Sequence, residues 1–97
     1  MTSPTASQQI ARFSTGFDPH SLSDQVLDIV RRVCLDTIGV AIGGMNEPAV
    51  TLALDYASGH NGPLSGTVWA TGQPMPVELA AFVNAIAGHV LDYDDVV

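Results

Sequence analysis

The residues best suited to chemistry lie together near the end of the chain, in the run His89-Val90-Leu91-Asp92-Tyr93-Asp94-Asp95. Helical periodicity leads up to this run, so its carboxylates fall where a helix dipole is already negative. Like charges a few ångströms apart raise one another's pKa unless a cation intervenes. A fold keeps such a cluster when solvent screens it, when a cation neutralises it, or when an acid with altered proton affinity is what a site requires. His89 and Asp92 are three residues apart, as are Asp92 and Asp95, so a continuing helix would put each pair on one face. Acid/base catalysis by Asp92, Asp95 and His89 is one reading. Solvated carboxylates at a turn are the commoner origin of such runs. A third reading is a divalent cation on the oxygens of Asp92, Asp94 and Asp95, although the glycine-bearing loop order of a calcium hand is missing.

The segment that delivers this run is unusual. From Val77 to Leu91, Leu79, Phe82, Val83, Ile86, Ala87 and Val90 recur at helical spacing, with Ala80, Ala81, Ala85 and Gly88 between them. Between Glu78 and Asp92 it has no charge unless His89 is protonated, so the spacing predicts a helix inside something larger than four short segments. Upstream, Ser23 is placed to cap a long helix with Val26, Val30, Val33, Cys34, Thr37, Ile38 and Ala41 on its apolar stripe. Beyond Asp36 that helix is apolar all round, which predicts burial on both sides, and Gly43-Gly44 is a left-handed stop. Asn46 is the expected cap of a third helix with Pro48 in its first turn, a stripe of Val50, Ala53, Leu54 and Ala57, and an end at Gly59. One or two helical turns are expected over Ile10–Phe17, after a frayed segment from Met1 to Gln9. His60 to Pro76, with three glycines and three prolines, reads as a long loop with an extended piece at Thr67-Val68-Trp69. The fold class is therefore all-α: about four helices and one Gly/Pro-rich loop, with 1–9 a flexible terminus and 10–97 a single incomplete helical domain.

Composition narrows the function. Charged residues are 13% of the 97, the net charge is −7, there is no lysine, and the arginines are Arg12, Arg31 and Arg32. A groove that tracks phosphates has nothing to be built from, so nucleic acid is not an expected partner. No apolar stretch is long enough for a membrane-spanning helix. The lone cysteine, Cys34, rules out an internal disulfide and permits a reducing, cytoplasmic setting. Its position on the apolar stripe makes it a core residue rather than a nucleophile. Asp36 reads as a partner of Arg32 one turn earlier, with a buried acid the alternative. His20 and His60 read as surface residues, and Trp69 as a packing anchor. The glycines at 59, 62 and 66 are not followed by the lysine of a phosphate loop.

Taken in order, several segments resemble the start of the MmgE/PrpD family: Val33-Cys34-Leu35-Asp36-Thr37-Ile38-Gly39-Val40-Ala41-Ile42-Gly43-Gly44, then Glu47-Pro48-Ala49-Val50, then Gly66-Thr67-Val68-Trp69-Ala70-Thr71-Gly72, then Glu78-Leu79-Ala80-Ala81-Phe82-Val83-Asn84, and finally Gly88-His89-Val90-Leu91-Asp92-Tyr93-Asp94-Asp95. The match runs from about Ile10 to Asp95. The resemblance implies a lyase that needs no metal and no cofactor, with a large helical domain and a separate lid. It also implies a dimer and small polycarboxylate substrates, as in 2-methylcitrate dehydratase or cis-aconitate decarboxylase. It implies that Asp92 is the active-site carboxylate, with Asp95 and His89 beside it. The family pattern goes on to a threonine and a histidine-bearing segment where this chain has Val96-Val97. The resemblance therefore implies a truncated N-terminal piece, inactive alone, that associates with itself or with the remainder of the fold. The competing expectation is a non-enzymatic helical association module, motivated by low charge and two-sided apolar helices.

Overall fold

A computed structural model describes residues 3–93. Contacts divide the chain into two compact units, Met1–Val30 and Arg31–Val97.

The first unit opens with α1, Ala6–Gly16. Its start lies four residues before Ile10 because the Ser/Thr-rich segment hides a reciprocal cap. Gln8 donates its backbone N–H to Thr5 Oγ1 at 3.3 Å, and Thr5 donates its own to Gln8 Oε1 at 2.9 Å. Phe13 and Phe17, one turn apart, meet with tilted rings whose centroids are 5.6 Å apart. Asp18 then accepts the His20 N–H at 2.9 Å and opens a 3-10 turn over Pro19–Ser21. Helix α2, Asp24–Gly44, begins in this unit, and Ser23 caps it as its type predicts, its Oγ accepting the Val26 N–H at 3.3 Å.

The second unit holds the rest of α2, then α3, Pro48–Ser58, a two-stranded ribbon of β1, Gly66–Thr67, and β2, Pro74–Met75, and α4, Val77–His89. The strands are antiparallel, with Gly66 opposite Met75 and Thr67 opposite Pro74. The predicted loop thus contains a hairpin, extended by Val68 donating to the Gln73 carbonyl at 3.0 Å and turned by Gly72 at φ 70°. The all-α expectation holds in this form: among the described residues there are four α-helices and one very small sheet. Among the described residues no helix is long and apolar enough to cross a membrane.

The core is built from Ala41, Val50, Ala53, Ala57, Val68, Met75, Ala80, Val83 and Ala87. The α3 stripe faces it as predicted, with Val50, Ala53 and Ala57 buried and Leu54 partly so. The cap differs by one residue: Glu47, not Asn46, precedes Pro48, and no side chain caps the helix. Helices α2 and α4 meet at a pair of small residues. A Cβ on Gly44 would overlap the Ala87 carbonyl oxygen and lie 2.8 Å from Val90 Cγ1, so the two backbones come together only because Gly44 has none. This replaces the predicted role of Gly43-Gly44 as a left-handed stop. Among the described residues only Gly72 and Asp92 have positive φ.

Two burial expectations are not met by the elements of this chain alone. Within α2 only Ala41 and Gly44 are buried, while Leu35 is 73% exposed and Val26, Val30, Val33, Cys34 and Thr37 also face outward. Cys34 is therefore not a core residue. In α4 the buried face is Ala80, Val83, Asn84 and Ala87, whereas Val77, Ala81, Phe82 and Ala85 are exposed. The helix is one-sided: an uncharged sequence guarantees that no face resists burial, but burial also needs a neighbour on each side, and α3 and the ribbon cover only one.

Candidate functional site

Helix α4 ends at His89, which is exposed. Val90 still donates to the Ile86 carbonyl at 2.9 Å, but Asp92 then turns left-handed, at φ 55°, with its N–H on the His89 carbonyl at 2.8 Å. The helical spacing that would align His89 with Asp92 stops there. A backbone turn, not a shared helical face, brings the two residues together. Asp92 is exposed, and an aspartate at positive φ is tolerated because its short polar side chain suits that region, at a small steric cost. A non-glycine residue held at positive φ is a candidate for function. Asp95 lies outside the described residues, as does Asp94, so the predicted metal set is represented by Asp92 alone. Among the described residues no group of three or more His, Cys, Asp or Glu side chains could hold a metal ion.

Beside this turn, wholly within the second unit, is an open cleft of about 550 Å³. One wall is Val33, Asp36, Thr37 and Val40 on α2, and the other is Ala81, Asn84, Ala85 and Gly88 on α4. Trp69 and Tyr93 complete it. Tyr93 directly follows Asp92, so the acidic turn adjoins the cleft, but neither Asp92 nor His89 lines it. Asp36 is exposed on the cleft wall, and no ion pair joins it to Arg32, so both readings made for it give way. Trp69 is 43% exposed at the cleft rather than a buried anchor. Val68 next to it is the residue that packs, with no exposed surface. His20 and His60 are exposed, as expected, and the His60 ring is tilted against that of Tyr56 with centroids 4.5 Å apart.

Asn84 is the residue that sequence reasoning missed. It is the buried polar side chain among the described residues, and it brackets the ribbon: its Nδ2 donates to the Thr67 carbonyl at 2.9 Å and its Oδ1 accepts the Trp69 N–H at 3.0 Å. Both sides of the amide are used, so the cost of burying it is offset. The bracket fixes Val68 in the core and sets Trp69 over the cleft. A lone polar residue inside an otherwise uncharged helix was the signal that could have found it.

The MmgE/PrpD N-terminal domain matches residues 8–97 of this chain. The chain belongs to the MmgE/PrpD family. Human cis-aconitate decarboxylase is 38% identical over 77 residues, which cover 76% of this chain and 16% of that protein. Mouse cis-aconitate decarboxylase is 30% identical over 94 residues, 94% of this chain and 19% of that protein. The chain therefore spans less than a fifth of the length of these MmgE/PrpD relatives. No solved structure matches it.

Proposed function

We propose that this chain supplies the N-terminal part of the helical domain of a lyase acting on small polycarboxylates, of the cis-aconitate decarboxylase type. The observation that carries the proposal is the similarity to two cis-aconitate decarboxylases over most of this chain. In such a reaction the bond to one carboxylate breaks and carbon dioxide leaves. The electron pair passes into the adjoining unsaturated carboxylate system, and a proton is delivered to carbon. Asp92 is the group assigned to the proton transfer, with His89 and Asp95 as the further candidates, and its left-handed turn is what presents the carboxyl group. The alternative within the family, dehydration of 2-methylcitrate, uses the same groups to remove a proton next to a carboxylate while water is expelled.

Charge decides what this segment can do by itself. A tricarboxylate needs cationic or backbone donors, and leaving one of its charges unpaired in a closed site costs several kcal/mol. Neither Arg31 nor Arg32 of the second unit lines the cleft, and the side chain with formal charge that does is Asp36. The 97-residue chain alone is expected to show no turnover of cis-aconitate or 2-methylcitrate. When it replaces the matching segment of human cis-aconitate decarboxylase, turnover is expected to return, and Asp92→Asn is expected to lower it by ~10²–10⁴-fold. Full activity in that variant would remove Asp92 from the mechanism.

A second reading, a helical module that works by association, is favoured by the apolar side chains that α2 and α4 leave exposed. It is separated from the first by the same experiment, because association alone restores no turnover.

A further inference from the structure

We infer that the cleft between α2 and α4 seats a helix from elsewhere in the complete lyase, and that this helix carries an arginine or lysine opposite Asp36. The inference rests on the lyase reading above. Val33, Thr37 and Val40 form one ridge at spacings of four and three, and Ala81, Ala85 and Gly88 form the facing ridge at the same spacings. Two helical ridges flanking an open trough are the surface into which a third helix packs, and the small residues on the α4 side let its backbone come close. The trough is apolar except for Asp36, Thr37, Asn84 and the ring substituents of Trp69 and Tyr93. Asn84 has spent its amide on the ribbon. Asp36 makes no hydrogen bond or ion pair among the described residues, so a helix that covered it without bringing a cation would strand a charge. A polycarboxylate substrate is the wrong occupant, since Asp36 repels it. A second copy of this chain is disfavoured by a net charge of −7 on each partner. The relatives supply the polypeptide: this chain accounts for 16–19% of their length.

The test compares the 97-residue chain with a chimera in which it replaces the matching segment of human cis-aconitate decarboxylase, both carrying Cys34→Ser and Ala85→Cys. Thiol labelling of the new cysteine is expected to be fast in the chain alone and at least ~100-fold slower in the chimera, the mark of a site that reacts only on local opening. Adding Asp36→Arg is expected to restore labelling and lower the chimera's Tm, with Asp36→Asn intermediate, while both leave labelling of the chain alone unchanged. Equal labelling of chain and chimera overturns the proposal, as does an Asp36→Arg chimera that stays protected or a chimera that does not fold. Protection that appears in the chain alone as its concentration rises overturns it in favour of a second copy. Turnover is read separately: a protected but inactive chimera sinks the lyase reading and not the docked helix, whereas an active chimera with a freely labelled cysteine does the reverse.

Discussion

Asp92 and Asn84 show how differently two polar residues of one segment are used. Asn84 is buried and doubly bonded, so Asn84→Ala strands the Trp69 N–H and the Thr67 carbonyl and is expected to cost about 2–3 kcal/mol, measured by denaturant unfolding. Asp92 is exposed at φ 55°, where glycine is the residue without steric cost. Asp92→Gly is therefore expected to stabilise the fold by up to ~1 kcal/mol, while in the chimera it abolishes turnover. An enzyme that keeps its activity with glycine at 92 would contradict the assigned role. The acidic run was legible in the sequence as a candidate site, since its residue types suffice to mark it. The left-handed turn was not, because nothing in His89-Val90-Leu91-Asp92 says where the helix stops. Asp36 shows the same limit: its spacing from Arg32 permits an ion pair, and the structure does not form it.

Among the elements, α2 and α4 meet where glycine removes the side chain from the crossing. Gly44→Ala is expected to destabilise by about 1–3 kcal/mol, because its Cβ would run into the Ala87 carbonyl and Val90. Gly39→Ala, in the same helix with nothing within 4 Å of its would-be Cβ, is expected to raise stability by up to ~1 kcal/mol. Opposite shifts in the unfolding midpoints of the two variants check the crossing directly. Helix positions were readable from periodicity: α3 and α4 fall close to the predicted spans, and Ser23 caps α2. The start of α1 was missed by overlooking Thr5 and Gln8, a signal that was in the sequence. The job of Gly44 was not there to find, since a Gly-Gly pair at a helix end fits a stop and a crossing equally well.

For the molecule as a whole, the core is small and the uncovered apolar surface is large. The fully buried large side chains are Val50, Val68 and Val83, whereas Leu35, Leu52, Phe82 and Trp69 are among the hydrophobic residues left exposed. A surface with that much apolar area and few charges favours association. The isolated chain is expected to bind a hydrophobic dye, and that binding is expected to fade in the chimera. A monomeric chain without dye binding would argue that these faces need no cover.

The amino-acid sequence by itself determined the helical class, the approximate helix spans, the scarcity of cationic side chains and the location of an acidic run, because periodicity, composition and charge are local properties. Its family resemblance was equally a matter of ordered residues. Only the tertiary structure decided which face of each apolar helix is covered, that Asn84 holds the ribbon, that Gly44 is a crossing point, and that Asp36 stands in an open trough. Those outcomes depend on which neighbour reaches which side, and burial is a property of pairs of elements rather than of either one alone.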